Sequence, residues 1–211
     1  MPSIVFLVFL NMNSLFPKEK ITFNLPDAEI EYLSGYFDYS KANELFQRLL
    51  HETPWQQDYI TVFNKTHPQP RLTAFYNDSS KPYTYSSVVM NPNKWTPLLI
   101  YIKQEVEAIS REHFNSVLLN LYRDGKDSNG WHADNERELG NNPTIASVSF
   151  GSERSFNLQH NTINDAKLKI TLEHGSILLM KDSTQHFWKH QLAKTSKVIG
   201  PRINLTFRNI L

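Results

Sequence analysis

Apolar residues recur with two different periods along this chain, and the change of period divides it. Residues 39–51 carry Leu45, Phe46, Leu49 and Leu50 at i, i+1, i+4 and i+5, the spacing of an amphipathic helix. A second helix is predicted from Thr96-Pro97, an N-cap residue followed by proline at the first helical position. Its stripe is Leu98, Leu99, Ile102, Val106 and Ile109, and its end is expected near His113. From Ser116 onward the period shortens to two. Strands are predicted over 117–122, 144–150, 155–158, 168–172 and 176–180, and over Arg202–Arg208, where the alternation is strict. Turn signals separate them at Asp124-Gly125, Asn141-Asn142-Pro143, Gly151, Gly175 and Gly200-Pro201. Two helices ahead of an all-β half predict an α+β fold, a jelly roll with a helical buttress.

Between the helices, residues 59–95 have another texture. Pro68, Pro70, Pro82 and Pro92 interrupt them, Tyr76, Tyr83, Tyr85 and Trp95 are interleaved, and Arg71 follows a proline. Irregular strands and loops that present aromatics are expected there. At the N-terminus, Ile4–Leu10 is an apolar run of seven, far short of the roughly 20 residues a spanning helix needs. It lacks the basic flank and small-residue cleavage site of a secretory signal. A terminal strand or tail is the expectation, in a soluble, intracellular, monomeric protein with no membrane partner.

Composition narrows the chemistry. A chain of 211 residues suits one domain, and 40% hydrophobic with 12% aromatic residues is a globular composition. Cysteine is absent, which excludes disulfides, thiolate-bound zinc, iron–sulfur clusters and thiol nucleophiles. Any metal is left to eight histidines and the carboxylates. Net charge is +1 and argues neither for nor against a polyanionic partner. Residues 116–211 are mildly basic, with 12 Lys and Arg against 9 Asp and Glu, which is compatible with nucleic acid without requiring it.

Within Trp131-His132-Ala133-Asp134, His132 and Asp134 stand at i and i+2, so on a strand they share a face and can bind one ion together. A second histidine would complete two His and one carboxylate, a set that leaves three positions of an octahedral Fe(II) open. His186 and His190 both compete for that place, four positions apart. Further on, Arg202, Asn204, Thr206 and Arg208 share one face of the alternating strand. Two inward arginines are costly unless they meet anions, and a dicarboxylate would occupy both.

Several segments together resemble the AlkB family of Fe(II)- and 2-oxoglutarate-dependent dioxygenases: Asn120-Leu121-Tyr122-Arg123, Trp131-His132-Ala133-Asp134-Asn135-Glu136, Ile145–Gly151, Leu172-Glu173-His174-Gly175-Ser176 and Pro201–Arg208. Upstream, Gln69–Ala74 and Pro82–Ser86 are similar to the subgroup of the second and third vertebrate AlkB homologues. The likeness runs from about residue 24 to residue 210 and leaves residues 1–20 outside as a tail. It implies a double-stranded β-helix within a single domain over 21–211, with a nucleotide-recognition lid at 59–95 and a catalytic jelly roll at 116–211.

The resemblance also implies roles. His132, Asp134 and His190 become the iron ligands, since the family spacing to the anchoring arginine favours His190 over His186. Asn120, Tyr122, Arg202, Asn204 and Arg208 become the 2-oxoglutarate site, with O2 as the second cosubstrate. Tyr85 stacks on a flipped base opposite His132, Tyr83 and Ser86 line that pocket, Glu136 lies near the base edge, and Arg71 belongs to a loop that touches phosphate or the gap left by the flipped base. His174 belongs to a turn and not to the metal site. The implied partner is alkylated DNA or RNA, and the implied reaction is oxidative demethylation of 1-methyladenine and 3-methylcytosine in DNA repair. The compartment would be the cytoplasm of a prokaryote or the nucleus of a eukaryote. A 2-oxoglutarate oxygenase of proteins or small molecules would keep the iron and cosubstrate residues without the base sandwich. A non-catalytic nucleic-acid-binding jelly roll would have lost an iron ligand or an arginine.

Overall fold

The computed structural model describes residues 20–211 apart from 63, 64, 81, 86 and 87. The apolar run Ile4–Leu10 and Ser86 therefore lie outside the described residues. Both predicted helices form. The first, α1 (Tyr39–Glu52), starts at Asp38, whose carboxylate accepts the Lys41 N–H, and buries Ala42, Leu45, Phe46 and Leu49. The second, α2 (Pro97–Ser110), is capped by Thr96 and buries Leu98, Leu99, Ile102 and Val106. It stops three residues short of His113. Arg111 turns left-handed at φ 60, and the Ser110 hydroxyl donates to the Val106 carbonyl while accepting the Glu112 N–H.

Fifteen strands are described. A hairpin the sequence pattern did not announce, β1 (Lys20–Leu25) and β2 (Ala28–Leu33), turns at Pro26-Asp27 with Asp27 at φ 54. In the 59–95 segment, β3 (Tyr59–Val62) pairs with β4 (Lys65–Pro68), and β6 (Tyr83–Tyr85) with β7 (Val88–Met90), as two separate ribbons. Between them β5 (Leu72–Asn77) joins the main sheet. Tyr76, expected to be presented, is buried beside Trp95 instead. The second half supplies β8 (Ser116–Tyr122), β9 (Asn129–His132), β10 (Ile145–Gly151), β11 (Arg154–His160), β12 (Lys167–Leu172), β13 (Ser176–Lys181), β14 (Trp188–Leu192) and β15 (Arg202–Arg208).

These strands form a seven-stranded sheet, β1-β2-β13-β10-β15-β8-β5, facing a four-stranded sheet, β12-β11-β14-β9. Alternation decides what lies where. Ile203, Leu205 and Phe207 of β15, Ala146, Val148 and Phe150 of β10, and Val117, Leu119 and Leu121 of β8 pack against the buried faces of α1 and α2. Each fully buried Leu or Phe there stabilises by roughly 1.5–3 kcal/mol. The opposite face of the same strands turns its polar residues toward the small sheet. A second apolar cluster, including Ile30, Leu158, Ile170 and Trp188, closes one end of the space between the sheets. Gly175 holds the β12–β13 turn at φ 76, where a Cβ would lie 2.5 Å from the Phe37 carbonyl oxygen. Among the described residues no helix is long and apolar enough to cross a membrane.

Candidate metal and anion site between the sheets

Two histidines meet across a strand pair at the edge of the small sheet. His132, last residue of β9, is in register with His190 of β14, and their ring centres lie 4.3 Å apart. The chain leaves the strand after His132, so Asp134 is not on β9 as the i, i+2 argument supposed. It reaches the same place from the following loop, where contacts to Gln185 and Arg208 hold it. Its N–H donates to Gln185 Oε1 at 2.9 Å, and its Oδ2 accepts from Arg208 Nη2 at 2.8 Å. Ligand atoms of His132, Asp134 and His190 all fall within 4.8 Å of one another, the single such cluster among the described residues. His186 is elsewhere: it sits on the short helical turn α3 (Thr184–Phe187), exposed, with Nε2 against Asn142 Oδ1.

Electrostatics prepares these groups to bind a cation. Burial opposes the charge on Asp134, but the Arg208 guanidinium and the two imidazoles override it and hold the carboxyl at about 2. Burial, then the neighbouring His132, pushes His190 down to about 3, and burial also lowers His132. Both rings are therefore neutral near pH 7, the state a metal requires. His132 Nδ1 lies 2.7 Å from the Gly130 carbonyl. A carbonyl only accepts, so the proton sits on Nδ1 and Nε2 is left with its lone pair toward Asp134.

The same cavity has an anion-binding wall. It is lined by Asn120 and Tyr122 of β8, by Ser147 of β10 and by Arg202, Asn204, Thr206 and Arg208 of β15, facing His132, Asp134 and His190. Arg202 is 2% exposed; its Nη2 donates to Ser149 Oγ at 2.9 Å and its Nε has no partner. Burial lowers its pKa to about 10. A buried guanidinium with an open donor fits a carboxylate. Asn204 donates to Ser147 Oγ and accepts from Thr206 Oγ1. The donor set next to it, two neutral imidazoles and one carboxylate, fits Fe(II).

The predicted substrate residues are less tightly gathered. Arg71 is turned inward and buried, its Nε donating to Asn120 Oδ1 at 2.8 Å, so it touches the cavity wall at Asn120. Glu136 follows Asp134 in the loop, with Oε2 buried and unpartnered, and burial raises its pKa with help from the Asp134 charge. Tyr83 and Tyr85 occupy alternate positions of β6, opposite Met90 and Val88. His174 accepts the Gly151 N–H in a turn, away from the metal cluster. Sequence reasoning missed Gln185, Ser147, Ser149 and Phe156. Ser147 and Ser149 were visible in the β10 alternation; nothing in the short segment Thr184–Phe187 marks Gln185.

Comparison with known proteins agrees with this architecture. The family model described as "2OG-Fe(II) oxygenase superfamily" matches residues 29–208. The bovine alpha-ketoglutarate-dependent dioxygenase alkB homolog 3 is 40% identical over 185 residues, covering 83% of this chain and 64% of that protein. The chain thus spans a little under two thirds of that relative's length. Human DNA oxidative demethylase ALKBH2 is also 40% identical, covering 83% of this chain and 71% of that protein. Among solved structures, OsALKBH1 superposes with a TM-score of 0.64 at 14% identity, over 90% of this chain and all of that one. A Trichoplax adhaerens prolyl hydroxylase gives 0.58 at 11% identity, over 85% and 83%. At those identities the solved structures speak for the jelly-roll fold alone. The chain belongs to the 2OG-Fe(II) oxygenase superfamily, and within it to the AlkB homologues, with Fe(II), 2-oxoglutarate and O2 as its cofactors.

Proposed function

We propose that this chain demethylates N-alkylated bases in nucleic acid, with 1-methyladenine and 3-methylcytosine as substrates and DNA alkylation repair as its role. The observation that carries the proposal is one cavity that joins the His132–Asp134–His190 cluster to Arg202, a buried cation with an open donor. The nucleic-acid substrate is supported by the relatives named DNA oxidative demethylase.

Each residue then has a task. His132, Asp134 and His190 would hold Fe(II), with Asp134 supplying the negative charge and its hydrogen bonds to Gln185 and Arg208 fixing where that charge points. Arg202 would pair with one carboxylate of 2-oxoglutarate through its unused donor, beside Tyr122. Asn120, Tyr122, Asn204 and Arg208 would orient the rest of the cosubstrate. When bound, Fe(II) with 2-oxoglutarate and O2 supplies the oxidation of the N-methyl carbon, which departs as formaldehyde while the cosubstrate ends as succinate and carbon dioxide. Glu136 would place a carboxylate near a cationic methylated base, and such bases leave the stack more readily than normal ones. Tyr85 would stack on the extruded base, with Tyr83 and Ser86 beside it. Arg71 would act through Asn120, which it already holds. The domain over 21–211 and the lid over 59–95 remain the working division of the chain.

The test is mass spectrometry of 1-methyladenine oligonucleotides incubated with Fe(II) and 2-oxoglutarate. Loss of the methyl group is expected. Tyr85→Ala should lose about 1–3 kcal/mol of base stacking in demethylation, while oligonucleotide-independent turnover of 2-oxoglutarate persists; Tyr85→Phe should retain activity. Turnover of 2-oxoglutarate with every methylated oligonucleotide left intact would instead assign the chain to a protein or small-molecule substrate.

A further inference from the structure

The four-stranded sheet has two faces, and only one of them is used by the site above. His132, Phe156, His190 and Leu192 point into the cavity, and Leu158, Ile170, Leu172 and Trp188 into the apolar cluster. By alternation the intervening residues form the outer face. The register arranges them in rows. Lys167, Gln159 and Lys189 stand side by side across β12, β11 and β14, and Lys169, Asn157 and Gln191 form the next row. Lys167 and Lys189 are thus separated by two strand spacings, about 10 Å. Trp131, 43% exposed on the edge strand β9, lies 5.9 Å from the Lys189 ammonium.

What is missing from this face matters as much. The four strands read NGWH, RSFNLQH, KLKITL and WKHQL and contain no Asp or Glu, although carboxylates make up 21 of 211 residues in the chain. Lys167, Lys169 and Lys189 form no ion pair with the described residues, whereas Lys20, Lys41, Lys103 and Lys181 all do. The charge continues into a groove of about 520 Å³ that Lys169 shares with Lys194 and Lys197, where Glu153 is the one carboxylate. A row of unpaired cations, amide side chains that donate and accept, and one exposed indole is the combination that tracks a single strand of nucleic acid.

We infer that the outer face of the small sheet binds the phosphate backbone of the single strand flanking the target base, with Trp131 as a stacking platform at its edge. The inference rests on the nucleic-acid reading above and adds to it a second, lesion-independent contact. Its chemistry requires no metal and no cosubstrate. Strand β9 is the edge of the small sheet, so a strand leaving the cavity can pass around it to the outer face.

The test compares wild type with the triple variant Lys167→Gln/Lys169→Gln/Lys189→Gln. Binding of a long fluorescent single strand is followed by anisotropy against salt, and demethylation is followed on a trinucleotide carrying the lesion. The triple variant should lower the slope of log affinity against log salt by about 2 and weaken the long strand roughly tenfold or more at low salt. It should leave trinucleotide demethylation at the wild-type rate, and the corresponding triple Arg variant should keep the slope. Trp131→Ala should weaken the long strand about tenfold. An unchanged slope in the triple Gln variant overturns the inference. So does equal competition by a polyglutamate chain, which would assign the face to an acidic protein. A wild-type protein that leaves methylated oligonucleotides of every length intact refutes the proposed function, and the anisotropy arm still reads the face.

Discussion

Arg208 and Asp134, 74 positions apart in the chain, form an ion pair at 2.8 Å with side chains 5% and 2% exposed. The last strand of the large sheet thereby fixes a carboxylate carried by a loop of the opposite wall. Removing one partner of such a pair strands a buried charge, at a cost of about 3–5 kcal/mol. Arg208→Gln should show that loss in chemical denaturation of the metal-free protein and should also weaken Fe(II) binding. Arg208→Lys, which keeps the charge without the planar fork, should fall between. A denaturation midpoint unchanged in Arg208→Gln would show that Asp134 is held by other groups.

His190 and His186 separate cleanly in the structure, and metal titration should separate them too. His190 is buried in register with His132, whereas His186 faces solvent beside Asn142. Alanine at 190 removes one of three donors and should abolish measurable Fe(II) or Co(II) binding. Alanine at 186 should leave metal affinity within a fewfold of wild type and change stability by no more than about 0.5 kcal/mol. Titration of both variants with Co(II), read by absorbance, decides the matter; the reverse pattern would remove His190 from the site.

The sequence showed most of this site because alternation is a strong signal where a strand has one oily and one polar face. Arg202, Asn204, Thr206 and Arg208 against Ile203, Leu205 and Phe207 is such a case, and the observed β15 has the expected bounds. Strand β9 is the opposite case. Its four residues, NGWH, carry too little apolar character to define a face, so the end of the strand at His132 and the loop position of Asp134 were invisible. The choice between His186 and His190 could not be made from an i, i+4 spacing either, because a helical turn ends between them. Hairpin β1–β2 lies at a sheet edge with most of β1 exposed, which blurs its period. Its turn residues Pro26-Asp27 were the better clue.

Arg202 should carry the trade between stability and cosubstrate binding. It is fully buried, with a hydroxyl as its hydrogen-bond acceptor and an open Nε. Replacing such a charge by an apolar residue of similar length is neutral or stabilising by about 1–4 kcal/mol when no anion is present. Arg202→Met should therefore melt at or above the wild-type temperature without 2-oxoglutarate. Saturating 2-oxoglutarate should raise the wild-type melting temperature by mass action and leave the variant's unmoved. A cosubstrate shift of wild-type size in Arg202→Met would place the distal carboxylate elsewhere.

Acid should loosen the far end of the large sheet through Glu31 of β2. Burial opposes its ionisation, but hydrogen bonds from Lys20 at 2.8 Å and Lys181 at 3.0 Å prevail, and its pKa lies below the ordinary 4.5. A carboxyl depressed by folding contributes stability that is present above the unfolded pKa and is lost as pH falls through the lower folded value. Wild type should thus exceed Glu31→Gln in stability at neutral pH, with the gap closing below about pH 4. Denaturant midpoints at both pH values measure it, and a gap that stays constant would mean the lysines do not act through charge.

Gln185 is the least expected member of the site, and its role is to position Asp134. It is 1% exposed on the short turn α3; its Oε1 accepts the Asp134 N–H at 2.9 Å and its Nε2 lies 3.7 Å from Met180 Sδ. Because Asp134 stands beyond the end of β9, no strand hydrogen bond fixes its backbone, and the Gln185 amide supplies that restraint. Without it, a buried N–H is left unpaired at about 1–3 kcal/mol, and the carboxylate is free to turn about its own backbone. Gln185→Ala should lose 10- to 100-fold in Fe(II) affinity, the range seen when a group supporting a ligand is removed. Affinity for 2-oxoglutarate, which depends on β8 and β15, should move less. Gln185→Glu keeps the accepting oxygen and should recover part of the metal affinity, which a cavity effect alone would not produce. Equal Fe(II) affinity in wild type and Gln185→Ala, measured by titration on folded protein, would remove Gln185 from the groups that aim Asp134.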